Sequence, residues 1–286
     1  MTVLEVITKS AEFLAKRGVD SPRLQTELLL AHVLQLPRMK LYLNFERKLT
    51  EPELDSLRKL VQRRGQREPL QHLIGSTSFC GLDMTVNCHV LIPRPETELL
   101  AEAGWQFLST RNSQPSAALD FGTGSGCIAI ALAVKCPAVR IVALDISTEA
   151  LAVATENATR NSVTACIEFR HGDGFAALKS EERFDLIVSN PPYIASAEIE
   201  TLQPEVRDHD PRHALDGGTD GLDFYRRLAI ESPVFLKPDG KLMVEFGDDQ
   251  ADAISAIFAT QQWTIESVQP DYSKRLRFLV ALPPKR

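Results

Sequence analysis

The amino-acid sequence predicts an α/β protein, with a doubly wound parallel sheet behind an N-terminal bundle of helices and a β-hairpin connecting the two. Three observations predict this class. Residues 1–70 carry apolar side chains at helical spacing, β-prone residues flank a glycine in residues 76–95, and apolar strands alternate with helical segments from about residue 97 onward. We therefore expect a bundle over residues 1–75, a hairpin linker over 76–95 and an α/β domain over 96–286.

The N-terminal helices are predicted from their ends. "VLEVITKSAEFLAKRG" stops at Gly18, and the next helix begins with Ser21 as its N-cap, followed by a proline. A further helix begins at Thr50, where Glu53 completes a capping box, and stops at Gly65. Short amphipathic helices of this kind predict a small bundle.

The hairpin and the α/β domain follow from the alternation of apolar runs. We expect the hairpin to turn at residues 81–83. Strands are expected near residues 117–121, 140–146, 166–173, 184–190 and 240–247, with two more in the C-terminal tail around a Pro-Asp turn. Helices are expected at residues 96–110, 126–136, 147–161 and roughly 221–236.

Charge and cysteine usage narrow the class of protein. The net charge of −6 divides into +4 for residues 1–75 and −10 for the remainder, so the bundle carries either a solvated basic face or a surface for a partner. No apolar run approaches the roughly 18 residues of a membrane span, and no secretion signal or transit peptide is evident. Five scattered cysteines without a CxxC pair predict neither a disulfide framework nor a zinc site, and favour a reducing cytoplasm.

A glycine loop follows the first predicted strand of the α/β domain. In "LDFGTGSGCIAIALA", Gly122, Gly124 and Gly126 have G-x-G-x-G spacing between a strand and a helix, so the backbone can turn tightly and approach a ligand. A dinucleotide fingerprint needs its third glycine where Cys127 stands, and a P-loop needs Gly-Lys-Ser/Thr. The loop therefore predicts binding of a nucleoside without phosphate recognition.

Aspartates at the ends of the next two predicted strands extend this site. Asp145 is placed to accept hydrogen bonds from ribose hydroxyls, or alternatively to cap the next helix, a role for which Ser147 competes. Asp173 is placed either to reach an adenine amino group or to form an ordinary turn. S-adenosylmethionine, an adenosine with a sulfonium and an amino-acid tail, fits this description.

The fourth predicted strand ends in "SNPPYI", where consecutive prolines force the chain out of the sheet at Asn190. The Asn190 side-chain oxygen and the Pro191 carbonyl can each accept one N–H of a planar NH₂ group, which directs the nitrogen lone pair toward a methyl donor. Tyr193 can stack on the flat acceptor. The motif predicts methylation of adenine N6, cytosine N4, guanine N2 or glutamine N5, and a rigid turn without catalytic role is the alternative.

The chain resembles the HemK/PrmC family, the N5-glutamine methyltransferases of peptide chain release factors. The resemblance covers "PRLQTELLLAHVL", "IPRPETELL", the glycine loop, "SNPPYI" and "EVRDHDPRHALDGGTDGLDFYR". It implies the class I S-adenosylmethionine-dependent methyltransferase fold, with its seven-stranded sheet. It also implies methyl transfer to the glutamine of a Gly-Gly-Gln motif in class I release factors, docked on the N-terminal bundle.

The resemblance further implies roles for single residues. The implied cofactor-binding residues are Gly122, Thr123, Gly124, Ser125, Gly126, Asp145, Asp173, Gly174, Phe175 and Asn190. The implied substrate-binding residues are Asn190, Pro191, Pro192, Tyr193 and Phe79, and the implied catalytic residues are Asn190, Pro191 and Tyr193. Family members often carry a bulkier residue at Gly174, so Phe175 is expected to supply that apolar contact. Arg94 and Glu96 either support the methionine end of the cofactor, support the loop itself or form a surface ion pair.

Two other functions remain open from the sequence. An amino methyltransferase acting on a nucleobase would share "NPPY", although the acidic α/β domain and the lack of a recognition domain disfavour DNA. A non-catalytic scaffold is disfavoured by the intact motifs. His209 and His213 are not expected to bind a metal. The protein is expected to be a cytoplasmic monomer without direct nucleic-acid or membrane binding.

Overall fold

The computed structural model describes residues 1–111 and 116–285, which form two compact units. The first unit contains Met1–Ser76 together with a separate segment, Gln203–His209. The second unit contains Thr77–Leu202 and the chain from Asp210 onward. The sequence did not indicate that Gln203–His209 belongs with the N-terminal helices.

The first unit is helical. Its helices are α1 (Val3–Lys16), α2 (Pro22–Leu34), α3 (Arg38–Leu41), α4 (Glu51–Gly65), α5 (Leu70–Ile74) and, in the separate segment, α9 (Pro204–Arg207). Their buried apolar side chains form one core that includes Ile7, Leu29 and Leu57. The Thr50 N–H donates to the Glu53 carboxylate at 2.8 Å, which confirms the predicted capping box.

Two of the predicted helix ends are found at the expected residues, Ser21 and Gly65, with a local geometry that the sequence did not indicate. Ser21 is the N-cap of α2, but it has a left-handed backbone (φ 47°) and its side chain makes no capping hydrogen bond. Helix α4 stops at Gly65, which is its last residue. A Cβ at Gly65 would stand 2.6 Å from the Phe13 ring, so glycine is needed there for the close approach of α1 and α4.

The separate segment is held by ion pairs within the first unit. Glu205 accepts hydrogen bonds from Arg64 at 2.7 Å and from Arg67 at 2.6 Å, and Arg64 also donates to Gln25. Although burial opposes ionisation, the two guanidinium groups lower the pKa of Glu205 to about 2. The carboxylate is therefore charged and paired at neutral pH.

The second unit begins within the hairpin, whose strands are β1 (Ser76–Phe79) and β2 (Leu82–Thr85). The turn consists of Cys80 and Gly81, both with positive φ, so Leu82 and Asp83 belong to β2 and the predicted turn at residues 81–83 is displaced by one residue. Two central residues with positive φ form the kind of turn whose twist matches that of the flanking strands.

A seven-stranded sheet forms the centre of the second unit, in the order β5-β4-β3-β6-β7-β9-β8. Its strands are β3 (Ala117–Phe121), β4 (Arg140–Asp145), β5 (Ile167–His171), β6 (Phe184–Ser189), β7 (Leu236–Glu245), β8 (Thr264–Pro270) and β9 (Leu276–Leu282). The pairs among β3 to β7 are parallel, whereas β9 runs antiparallel to both β7 and β8.

Helices cover both faces of the sheet. They are α6 (Pro95–Ser109), α7 (Cys127–Lys135), α8 (Thr148–Arg160), α10 (Asp223–Glu231) and α11 (Ala251–Thr260), the last of which the sequence analysis did not predict. One core contains Leu100, Ile130 and Ala158 of α6 to α8, and the other contains Leu228 and Phe258 of α10 and α11. The carboxyl ends of β3 to β6 consequently meet at one edge, where doubly wound sheets bind ligands.

Among the described residues, no helix is both long enough and apolar enough to cross a membrane. All five cysteines are free thiols.

Candidate active site

A cleft lies at the carboxyl ends of the parallel strands in the second unit. The start of α6, the loops after β3 to β6 and a later loop all contribute to it. Its lining includes Arg94, Thr97, Phe121, Gly122, Thr123, Gly124, Ser125, Asp145, Asp173, Gly174, Asn190, Pro192 and His213.

Most of the predicted site residues reach this cleft, but five of them are not part of its lining: Phe79, Gly126, Phe175, Pro191 and Tyr193. Phe79 is 1% exposed and packs in the core with Met84, and its place near the substrate glutamine stays a prediction. Phe175 stacks on Phe235 at a centroid distance of 5.3 Å, inside the core, and Phe121 lines the cleft in its place.

The glycine loop presents bare backbone to the cleft. Gly122 and Gly124 have positive φ (74° and 54°), and a Cβ added to either would meet no atom within 4 Å. The space that these side chains would fill is open to a ligand, which fits the adenosine-like cofactor predicted from the sequence. Gly126 has a different role, because its Cβ would lie 3.0 Å from that of Ala154 and would push α7 away from α8.

Two buried aspartates fix the shape of the loop. Asp120 accepts hydrogen bonds from the Thr123 hydroxyl at 2.6 Å and from the Ala129 N–H at 3.1 Å, and burial raises its pKa to about 7. Asp145 accepts from the Gly124 N–H at 2.8 Å and from the Ser147 N–H at 2.9 Å.

Asp145 does not cap α8, since the Ser147 hydroxyl performs that role by accepting from the Ala150 N–H at 3.0 Å. The carboxylate lines the cleft, and each of its oxygens retains a lone pair beyond the backbone bond that it accepts. Asp145 is thus free to accept hydrogen bonds from a diol.

The structure gives a reason for glycine at position 174. Gly174 has φ 58°, and a Cβ there would lie 2.8 Å from the Arg227 guanidinium. Arg227 in turn pairs with the Asp173 carboxylate. A bulkier residue at position 174 would therefore displace Arg227. Because Arg227 also competes with any ligand for Asp173, the adenine contact of Asp173 stays a prediction.

The "NPPY" segment leaves the sheet at Asn190, as predicted, and offers two oxygen acceptors. The Asn190 Nδ2 donates to the Thr97 hydroxyl at 3.1 Å, which leaves the Oδ1 edge of the amide for another partner. Among residues 1–111 and 116–285, no hydrogen bond is donated to the Pro191 carbonyl. Within the described part of the chain, neither oxygen therefore accepts a hydrogen bond.

Residues distant in sequence brace the backbone of this segment. Gln250 donates to the Tyr193 carbonyl at 2.9 Å, and the Gly217 N–H donates to the Ile194 carbonyl at 2.9 Å. A Cβ at Gly221 would lie 2.4 Å from the Tyr193 carbonyl. The family-specific "DGGTDG" stretch thus packs directly on the loop after β6, a role that the sequence analysis did not assign, and nothing in the sequence singled out Gln250.

Arg94 pairs with Asp210 rather than with Glu96. It donates to Asp210 at 2.9 Å, so the surface ion pair with Glu96 is wrong. The Asp210 side chain is 1% exposed, and burial raises its pKa to about 6 even though Arg94 opposes this change. Among the described residues, no group of three or more His, Cys, Asp or Glu side chains is arranged to hold a metal ion.

Comparison with known proteins identifies this architecture. The family model of the PrmC N-terminal domain matches residues 5–75, and that of the Methyltransferase small domain matches residues 99–207. A release factor glutamine methyltransferase from Geobacter sulfurreducens is 46% identical over 258 residues, covering 90% of this chain and 88% of that protein. Another, from Chlorobaculum tepidum, is 40% identical over 279 residues, covering 96% and 94%.

The chain belongs to the release factor glutamine methyltransferase family. The resemblance inferred from the motifs is thereby confirmed. A solved methyltransferase from Pyrococcus furiosus shares the fold with a TM-score of 0.52 at 20% identity, over 73% of this chain and 92% of that one. Together with the sheet order, this confirms the class I fold. The match to the Methyltransferase small domain and the two release factor glutamine methyltransferases identify the family member as an S-adenosylmethionine-dependent methyltransferase.

Proposed function

We propose that this chain methylates the side-chain amide nitrogen (N5) of the glutamine in the Gly-Gly-Gln motif of class I release factors, with Asn190 Oδ1 and the Pro191 carbonyl binding the NH₂ group. The observation that supports this most directly is the pair of adjacent, unengaged oxygens that follows β6. A primary amide has two N–H donors on one nitrogen, which matches two neighbouring acceptors.

The cofactor is held by the glycine loop and Asp145. The bare backbone of Gly122 and Gly124 would leave room for the nucleoside, and the Asp145 carboxylate would accept from the ribose hydroxyls. When bound, S-adenosylmethionine supplies an electrophilic methyl group on a cationic sulfur.

The amide nitrogen is a weak nucleophile because its lone pair is delocalised into the carbonyl, and the two acceptors increase its reactivity. They bind the N–H groups more strongly as the nitrogen becomes tetrahedral and positively charged, so their effect is larger in the transition state than in the bound substrate. Each acceptor contributes about 3 kcal/mol by analogy with single oxyanion-hole donors. The stiff prolines and the Gln250 brace keep both oxygens in place before the substrate arrives.

Tyr193 is assigned to the wall beside the glutamine rather than to acid–base chemistry. Burial raises the pKa of its hydroxyl to about 12, so the phenol stays neutral at physiological pH. Its ring lies against Gly247, where a Cβ would be 3.0 Å from the ring edge.

The N-terminal unit is assigned to docking the release factor. Residues 1–75 carry a net charge of +4, opposite in sign to the −10 of the remaining chain, which favours a separate surface for a partner. We assign the protein to the cytoplasm, where release factors act, as a monomer that does not bind nucleic acid itself.

A transfer assay with labelled methyl groups tests this function. The acceptors are a purified class I release factor, the same factor with its Gly-Gly-Gln glutamine changed to alanine, total RNA and DNA. Label on the intact factor alone is expected. Label on RNA or DNA, or on the alanine variant, would contradict the proposed substrate.

A further inference from the structure

A buried carboxyl lies directly beside the catalytic amide. Strands β6 and β7 are parallel, and Ser189 pairs with Val244, so the next residues along each strand, Asn190 and Glu245, are neighbours. Glu245 is 3% exposed, and its Oε2 atom is buried without a hydrogen-bond partner among the described residues. A buried carboxyl with an unpartnered oxygen is costly, so its presence at this position calls for a role.

The polar groups that face this carboxyl are the Thr97 hydroxyl and the Asn190 amide. Because Asn190 Nδ2 also donates to Thr97, the three side chains form one cluster behind the "NPPY" segment. An ionised carboxylate can only accept hydrogen bonds, so the edge of the Asn190 amide that faces it must be the NH₂ edge. The oxygen edge is then directed away from Glu245.

We propose that Glu245 and Thr97 are positioning residues that fix the orientation of the Asn190 amide, so that its Oδ1 faces the substrate. This inference rests on the proposed role of Asn190 as an acceptor for the glutamine NH₂. An amide is nearly symmetric in shape, and rotation by half a turn would present an NH₂ group to the substrate NH₂. Donor would then face donor, and one of the two acceptors would be lost.

The protonation state of Glu245 provides a signature for this role. Burial raises its pKa to about 7, against the opposing effect of the Thr97 hydroxyl. Glu245 also interacts electrostatically with other ionisable groups, namely Glu96, Arg277, Tyr193, Tyr225 and Cys127. Once protonated, the carboxyl carries a donor of its own and can bind the oxygen edge of Asn190, which favours the unproductive orientation.

The central experiment measures kcat, the KM for release factor and the Kd for S-adenosylmethionine in the wild type and in Glu245→Gln. The wild-type kcat is expected to rise with pH through about 7, and this rise is expected to be lost in Glu245→Gln. The variant should lose about 10- to 100-fold in kcat at high pH, less than complete removal of an acceptor, while the cofactor Kd stays within about two-fold. Glu266→Gln, on a surface carboxyl paired with Lys241, serves as the matched control.

Thr97 gives a second, independent test that does not alter the charge. Thr97→Val keeps the shape of the side chain but removes the hydroxyl that accepts from Asn190, and it should lower kcat without changing the cofactor Kd. Thr97→Ser restores the hydroxyl and should recover most of the rate. In the Asn190→Ala background, Glu245→Gln should lower the residual rate no further, since there is no amide left to orient.

The inference would be overturned by a wild-type pH profile that Glu245→Gln leaves unchanged, by equal rates in Thr97→Val and Thr97→Ser, or by a full effect of Glu245→Gln in the Asn190→Ala background. A wild-type enzyme that does not label the release-factor glutamine would instead refute the proposed function itself. Thermal unfolding of each variant separates a loss of rate from a loss of folded protein.

Discussion

Asp145 allows a quantitative test of how the cofactor cleft is organised. The carboxylate is 8% exposed and accepts from two backbone N–H groups, those of Gly124 and Ser147. Asp145→Asn preserves the shape but turns one oxygen into an NH₂ group, which must then face a backbone N–H. One charge-assisted hydrogen bond is lost, at a cost of about 1.5–3 kcal/mol.

The same substitution removes the charge that strengthens the bonds to the ribose. We therefore expect the free energy of cofactor binding to fall by about 1.5–3 kcal/mol, a 10- to 150-fold increase in Kd. Isothermal titration with S-adenosylmethionine measures this directly, and urea unfolding followed by tryptophan fluorescence measures the stability of the free protein. Asp239→Asn, at an exposed carboxyl paired with Arg111, is the matched control.

If Asp145→Asn lowered the free energy of unfolding but left the cofactor Kd within about two-fold of the wild type, the carboxylate would only brace the loop. The assignment of Asp145 to the ribose would then have to be abandoned.

Three further predictions follow from other parts of the chain. Asn190→Ala should lower kcat by about 100-fold or more while cofactor affinity stays nearly constant, and a normal kcat would refute the two-acceptor arrangement. Glu205→Gln should cost about 2–3 kcal/mol of stability at neutral pH, because the folded-state pKa of Glu205 is lowered to about 2. This contribution is present above the unfolded pKa and disappears as the pH falls toward 2, so urea unfolding of the two proteins should converge in acid. Gly126→Ala should destabilise the second unit by about 2–4 kcal/mol, from its left-handed backbone and its contact with Ala154, and a change below about 0.5 kcal/mol in urea unfolding would show that α7 and α8 adapt freely.

Much of the second unit was predictable because its signals are local. The buried strands are continuous apolar runs, and the prolines after Asn190 end β6 where the backbone loses its donors. The loop glycines were recognised from spacing alone. Helix α11 was missed, although Ile254, Ile257 and Phe258 have the helical spacing that would have indicated it.

The parts that could not be predicted depend on residues that meet only in the folded chain. Gln250 reaches Tyr193 across 57 positions, and Arg227 reaches Asp173 across 54. Glu245 lies beside Asn190 only because of the register between β6 and β7. Gly65 shows a related limit, because it ends α4 as predicted but its close contact with Phe13 has no local sequence signal.

The discontinuous make-up of the first unit has a consequence for how the protein is synthesised. Glu205, the partner of Arg64 and Arg67, leaves the ribosome only after the glycine loop and "NPPY" have been made. Domains usually fold from the N-terminus as they emerge. Here the buried apolar core of the first unit lies between Val3 and Leu73, but Arg64 and Arg67 lack their counter-charge until most of the catalytic sequence has been translated. The first unit is therefore complete only when much of the second has been synthesised. Because the two units alternate along the sequence, they cannot be exchanged between proteins as simple consecutive modules.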